Sequence, residues 1–272
     1  RWAFSGSGPA LMNQFRVFVL LEPGAKLELV EQFESNEATG HALNVMMQAE
    51  LGQASSFSHT RAQSESDRAI VLTSTQDRQG GSSRYVYRGF DLGGALARHE
   101  FDVRLGGEGA STDLSGAFVL DGKRHVDNHV SVDHAAPNCS SEQFFRGVLG
   151  GRSRGVFNGR ALIRPGADGS SVRQSNANLL LSGLAEMDTK PELEIYADEV
   201  EASHGATVGQ LDESAVFYLR TRGLSDSEAR RMLTSAFCHA VTDRLDDREL
   251  ASRLSAMLDR AMPDSSLQEE AL

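Results

Sequence analysis

Two periodicities divide the chain. From about Phe15 to Val200, short runs alternate apolar and polar residues at period two, the spacing of a half-buried strand. In Lys26-Leu27-Glu28-Leu29 the leucines share one face and the charges the other. Phe101, Val103 and Leu105 alternate with Glu100, Asp102 and Arg104, and Glu192-Leu193-Glu194-Ile195 repeats the arrangement. Similar runs lie around 16–21, 69–75, 84–87, 125–132, 154–163 and 178–182. The breaks between them are built from Gly, Pro, Asp and Asn (Pro23-Gly24, Gly80-Gly81, Gly106-Gly107, Asp121-Gly122, Pro165-Gly166), residues that tolerate tight turns. No segment before Val200 carries a helical stripe, so a sheet with crossover helices is excluded. A sandwich, a barrel or a strand solenoid remains, and no crisp repeat selects among them.

After Val200 the period becomes 3.6. The pattern predicts a helix over Leu211–Thr221, stopped by Gly223 at a left-handed cap position. Ser225-Asp226-Ser227-Glu228 reads as a capping box opening a second helix. Its predicted stripe is Ala229, Met232, Leu233, Ala236, Phe237, Ala240, Val241 and Leu245. A third helix shows Leu250, Leu254, Met257, Leu258 and Ala261, and Asp246-Asp247 precedes it, where acids suit the helix dipole. A small helical domain therefore follows a β domain, with a polar tail over 263–272.

Composition narrows the function. The 272 residues carry 27 Lys+Arg against 38 Asp+Glu, a formal charge of −11. That balance argues against sequence-independent nucleic-acid binding. No run reaches the roughly 18 apolar residues of a membrane-spanning helix. Two cysteines exclude a disulfide framework and an all-cysteine metal site, and fit a reducing compartment. Gly93-Gly94 and Gly150-Gly151 match neither a phosphate loop nor a dinucleotide fingerprint, so no nucleotide site is expected.

The remaining candidate chemistry is sparse. His125, Asp127, His129, Ser131 and Asp133 share one strand face; His125 and His129 could hold iron, although an ordinary solvated outer face is the preferred account of them. Cys139, in a polar stretch, could be reactive or a ligand, whereas Cys238 reads as a small buried hydrophobe. The segment from Ala202 to Glu213, with His204 inside it, sits where the last predicted strand hands over to the first helix. Its Ser, His, Gly and Thr residues are neither core formers nor ordinary surface. A free-standing β-helix enzyme acting on carbohydrate is the alternative reading, and it requires two convergent carboxylates about 5–9 Å apart.

Taken together, Leu179-Leu180-Leu181-Ser182-Gly183, the stretch Asp188–Val200 beginning Asp188-Thr189-Lys190-Pro191-Glu192, the stretch Ser203-His204-Gly205-Ala206-Thr207-Val208-Gly209-Gln210-Leu211-Asp212-Glu213, and Phe217–Gly223 resemble the SufB/SufD family of iron–sulfur cluster assembly proteins. Gly155-Val156-Phe157-Asn158-Gly159 agrees with it. The resemblance is dense from about Cys139 to Leu245 and fainter from about Phe15.

The resemblance implies a right-handed parallel β-helix followed by C-terminal helices. Residues 15–203 would form the β-helix and 204–262 the helical domain, with 1–14 a linker or the remnant of an N-terminal helical domain. It implies a non-enzymatic scaffold subunit, cytoplasmic or in a plastid stroma, that pairs with SufB through its β-helix. The SufC ATPase would dock on the C-terminal helices, with Arg220, Arg222, Arg230 and Arg231 as candidate contacts; the isolated chain could form a homodimer. No cofactor is held stably; iron or a cluster would be shared transiently with SufB at an interface that includes His204. Ala202 stands where some members have a cysteine, Ala185 falls near the assembly cysteine of SufB, and Gly205 replaces an acid. The first departure implies that a thiol at position 202 is not essential; Ala185 and Gly205 put the chain on the SufD side of the family.

Overall fold

The computed structural model describes residues 11–35 and 40–263. Fourteen strands precede three helices among these residues. The strands are β1 (Leu11–Leu21), β2 (Lys26–Glu34), β3 (His41–Leu51), β4 (Ser56–Ser64), β5 (Ile70–Gln79), β6 (Arg84–Asp91) and β7 (Leu96–Leu105). They continue as β8 (Ser111–Leu120), β9 (His125–His134), β10 (Ser140–Leu149), β11 (Arg154–Ile163), β12 (Ser171–Leu180), β13 (Glu186–Ile195) and β14 (Glu201–Gly209). The odd-numbered strands form one seven-stranded parallel sheet and the even-numbered strands a second, each in chain order. Every rung gives one strand to each sheet, so the chain is a parallel β-helix of seven rungs, and the solenoid is the member of the three all-β options that forms.

Stacked positions make straight columns. Phe15, Val45, Thr73, His99, Asn128, Phe157 and Thr189 lie in one column, separated by 26 to 32 residues. That drift is why no fixed repeat can be read in the sequence. Gly93-Gly94 is turn chemistry: a Cβ at Gly93 would collide with the backbone of Glu65, and Gly94 adopts φ +84°.

The interior is mostly apolar, with Phe57, Tyr85, Phe101, Phe118, Phe145 and Phe157 buried, but two polar chains cross it. His59 Nε2 lies 2.7 Å from Glu31 Oε2, and its Nδ1 lies 3.1 Å from the Tyr85 hydroxyl. In the second chain Arg61 Nη1 donates to Thr73 Oγ1 at 2.7 Å, and Thr73 Oγ1 is 2.7 Å from His99 Nδ1. His99 Nε2 is 2.9 Å from Asp91 Oδ1. An ionised Asp91 only accepts, so the proton of a neutral His99 sits on Nε2 and is donated to it, and Nδ1 accepts from the Thr73 hydroxyl, which in turn accepts from Arg61. Burial and then the Arg61 charge hold His99 below the usual imidazole value, so it is neutral. Burial pushes the Asp91 carboxyl up, but His99 and Arg61 together leave it below the usual carboxylate value.

Helices α1 (Glu213–Thr221), α2 (Asp226–Thr242) and α3 (Arg248–Ala261) follow the last strand. The capping box forms as expected: Ser225 N donates to Glu228 Oε2 at 2.8 Å, and Glu228 N donates to Ser225 Oγ at 3.3 Å. Gly223 has φ +99° and ends α1, and Asp247 caps α3 by accepting from Glu249 N and Leu250 N. The outer face of the even sheet is covered by α2 and α3, through Cys238, Val241, Leu245, Leu254 and Leu258 against Phe90, Ala117, Val119 and Val148.

Two sequence expectations need correction. The buried face of α2 is rotated from the predicted stripe. Ala229, Thr234, Cys238, Val241 and Thr242 are buried, whereas Met232 is 51% exposed and Ala236 faces outward. The periodicity missed that this face must meet a sheet and α3 together, which admits small polar residues. The β-helix also does not stop before His204: β14 runs to Gly209, and His204 is a strand residue. As for the chain ends, β1 takes in positions 11–14, while 1–10 and the tail from 264 lie outside the described residues.

Candidate functional site at the last rung

Among the described residues the β-helix is open at both ends of its stack, and the final rung is one of them. β13 pairs only with β11, and β14 only with β12, so each presents a free edge among the described residues. All nine residues of β14 are exposed. Its sequence, Glu-Ala-Ser-His-Gly-Ala-Thr-Val-Gly, explains this: small and polar side chains give a strand nothing to bury, and backbone pairing to β12 alone holds it. Exposed Ile195, Tyr196 and Val208 lie at the same end.

His204 is in register with Gln174 and therefore points toward the inner side of the rung. No further rung covers it, so it is exposed and has no hydrogen bond or ion pair among the described residues. Immediately below, Gln174 donates through Nε2 to Gly159 O at 3.1 Å, and its buried Oε1 has no partner. Gln143, the next residue in the column, has neither amide atom satisfied, and the buried Thr189 Oγ1 is also unpartnered. Ala202 and Ala206 flank His204 on the same face, and a side chain at Gly205 would meet nothing within 4 Å. The site is thus a solitary, uncommitted imidazole above a polar column, bordered by two free strand edges. An imidazole with both nitrogens free is a competent ligand for iron, but one ligand holds nothing. Among the described residues no group of three or more His, Cys, Asp or Glu could hold a metal ion.

The other candidates do not converge on it. His125 and His129 lie on the outer face of β9, in a charged ladder: His129 Nε2 sits 2.8 Å from Asp127 Oδ1, and Arg98 also binds Asp127. Acids of that face are matched to cations, Asp133 to Arg164 at 2.7 Å, Asp188 to Arg154 at 2.6 Å and Glu194 to Arg160 at 2.6 Å. Cys139 lies beyond the opposite end of β9 from His125, buried, with its thiol donating to Gly107 O at 3.4 Å; burial pushes that thiol up, away from reactivity. Cys238 is fully buried, and its thiol is pushed up to about 12. Ala185 is buried in the turn before β13.

The four arginines of the helical region are largely occupied. Arg230 binds Glu213 at 2.9 Å and Asp226 at 2.7 Å, tying α1 to α2, and Arg231 donates to Asp259 O. Arg222 stacks on Tyr218 and donates to its hydroxyl, while Arg220 lies 3.4 Å from Asp226. The sequence reading passed over the apolar side chains beside them. Phe217 and Tyr218 are 66% and 57% exposed, and Phe217, Arg220, Thr221, Leu224, Ser225 and Asp226 line a groove of about 400 Å³. Two aromatic residues off the buried side of a nine-residue helix were the available signal.

The core domain shared by SufB and SufD in the SUF system of iron–sulfur cluster assembly matches residues 4–237. The chain belongs to the SufBD family. Among curated SufBD relatives, an iron–sulfur cluster assembly SufBD family protein of Synechocystis is 31% identical over 252 residues, covering 90% of this chain and 56% of the relative. The iron–sulfur cluster assembly protein SufD of Escherichia coli is 29% identical over 249 residues, covering 92% of this chain and 59% of SufD. The chloroplastic protein ABCI7 of Arabidopsis thaliana is 30% identical over 86% of this chain and 50% of its own length. This SufBD chain therefore spans little more than half the length of the relatives it matches. No helix among the described residues is long and apolar enough to cross a membrane.

Proposed function

We propose that this chain is the SufD-type scaffold subunit of a complex with SufB and the SufC ATPase. It does no turnover of its own and works in the cytoplasm or, in a plastid-bearing organism, the stroma. Its last rung adds to the β-helix of SufB, and His204 becomes one ligand of a site completed by that subunit, on which iron or a nascent cluster is held as cargo. The groove between α1 and α2, with Phe217 and Tyr218 beside it, receives SufC. The observation that carries the reading is His204: an imidazole with no internal partner, on a strand that is exposed along its whole length and unpaired on one edge. A structural histidine is normally bonded, as His59 and His99 are in this same chain.

The test replaces His204 by Ala in the assembled complex. Thermal stability and co-purification with SufB and SufC should be unchanged, because the side chain supports neither. Cluster formation on the complex, followed by its visible absorption, should fall at least tenfold. Wild-type cluster formation in that variant would remove His204 from the mechanism. Replacing Phe217 by Asp should abolish SufC capture alone.

A further inference from the structure

Just beneath β14, strand β12 turns three buried amide side chains inward: Gln174, Asn176 and Asn178. Asn176 and Asn178 satisfy each other. Asn178 Nδ2 donates to Asn176 Oδ1 at 2.7 Å and also to Thr207 O at 3.1 Å. Gln174 is different. Its Nε2 donates across the interior to Gly159 O at 3.1 Å, and that bond fixes the amide. Gly159 makes room for these amides, since a Cβ there would stand 2.6 Å from Gln143 Oε1. Gln174 Oε1 is thus an acceptor held in place, buried, with no donor among the described residues. A methionine of the same length would fill the space without that orphan oxygen, so packing alone does not account for Gln174.

A donor stands directly above. His204 is the in-register neighbour of Gln174, and adjacent strands lie about 4.8 Å apart, so both side chains leave the sheet side by side toward the interior. In-register side chains do meet across this spacing: Gln48 Nε2 donates to its register partner Gln76 Oε1 at 3.1 Å. Inside the stack, His59 is likewise held by a side chain of the strand below, Glu31. At the open rung the His204 N–H faces water, and exchanging one bond for another gains little. A docked subunit that excludes water reverses this, because the N–H must then find an acceptor within the protein. Ala202, Ala206 and the open space at Gly205 leave the ring free to turn.

We propose that Gln174 is a positioning residue for His204: on docking, one ring nitrogen donates to Gln174 Oε1 and the other keeps its lone pair as the ligand atom. A neutral imidazole carries a single N–H, so committing it fixes tautomer and ring direction together. The inference rests on the ligand role proposed for His204 and assigns what orients that ligand.

The test uses the complex assembled with the SufB-type and SufC-type subunits of the same organism. Cluster formation is followed by visible absorption, alongside the thermal midpoint of the free chain. Gln174→Met keeps length and burial but removes the acceptor; it should change the midpoint little and slow cluster formation about ten- to hundredfold. Gln174→Glu loses the donor to Gly159 and buries a carboxyl, so its midpoint should fall below that of Gln174→Met. It keeps an acceptor under the ring, however, and should restore most of the cluster formation. Gln174→Asn holds the amide one methylene short and should be as slow as Gln174→Met, which keeps the test decisive if the glutamate variant does not fold. A purely structural role makes assembly follow stability: if Gln174→Glu is as slow as Gln174→Met or slower, positioning is overturned. If Gln174→Met and Gln174→Asn match wild type while His204→Ala does not, the ligand stands and its positioning by Gln174 falls. If His204→Ala also matches wild type, the ligand reading itself falls and takes this inference with it.

Discussion

Asp77 places a titrating carboxyl inside the β-helix, and its replacement by Asn should reshape the pH dependence of stability. The side chain points inward from β5 and is 1% exposed. Oδ2 accepts from Gln79 Nε2 at 2.7 Å, but Oδ1 is buried with no partner. Burial raises its pKa from 3.8 to about 7; the Gln79 bond opposes the rise and the charge of Glu50 adds to it. A carboxyl raised in the folded state binds its proton more tightly there than in the unfolded chain. Its stabilising contribution is therefore complete below about pH 4 and is lost as pH climbs to about 7. A difference of about 3 units at about 1.4 kcal/mol each sets an upper limit near 4 kcal/mol. Local relaxation around the orphan oxygen should reduce this to about 2 kcal/mol. Asn keeps the shape and the Gln79 contact but buries an unpaired N–H, at a cost of about 1 kcal/mol at every pH. Urea unfolding between pH 3 and 8 should then show Asp77→Asn less stable at the acid end and more stable at the alkaline end, with the curves crossing near about pH 4.5. Parallel curves with a constant offset would refute the argument, because only a group titrating in the folded state bends one against the other.

Other consequences are more direct. Asp91→Ala strips the counter-charge from Arg61 and the acceptor from His99, both buried, and should destabilise the fold by about 3–5 kcal/mol in denaturant titration; a loss under 1 kcal/mol would mean the pair is solvated. Neither thiol should react with a disulfide reagent at pH 8 in the native state, since both are raised by burial, and both should react once urea is added. Rapid native labelling of Cys139 would restore it as a chemical candidate. Ser225→Ala should cost about 1 kcal/mol through loss of the α2 cap, read as a lower thermal midpoint with the β-sheet circular dichroism intact.

How far the sequence disclosed all this depended on what each strand faces. Odd-sheet strands such as β7 and β13 carry charges on an outer face open to water, so their alternation was plain. The strands missed were mostly of the even sheet. In β8 and β10 the outer face is covered by α2 and α3, so Ala117, Val119 and Val148 are apolar on the side where water was expected. In β4 the inner face carries His59, Arg61 and Gln63, polar residues where the pattern demands apolar ones. β14 has neither face buried and no pattern at all, which hid its strand character and moved the apparent domain boundary to His204. The helix caps, by contrast, are local chemistry and were readable to the residue.

Two histidines of one column, His59 inside the stack and His204 at its last rung, explain why the functional site belongs at the terminus. Leu29, His59, Tyr87, Leu114, Gln143, Gln174 and His204 occupy equivalent inward positions on the even sheet. At His59 the neighbouring rungs supply Glu31 and Tyr85, burial lowers its pKa, and both nitrogens are consumed. That ring is locked and closed to any ligand. At His204 the same column position has a rung on one side only, so the backbone fixes the ring's direction while leaving its nitrogens free. A β-helix contacts only its nearest rungs, so an inward-facing group becomes available only where the stack ends. The same ending leaves two strand edges unsatisfied, and whatever covers those edges must come to rest beside the imidazole. Ligand and docking surface are therefore one feature of the fold: a mutation that capped the last rung internally would remove the partner and the ligand site together.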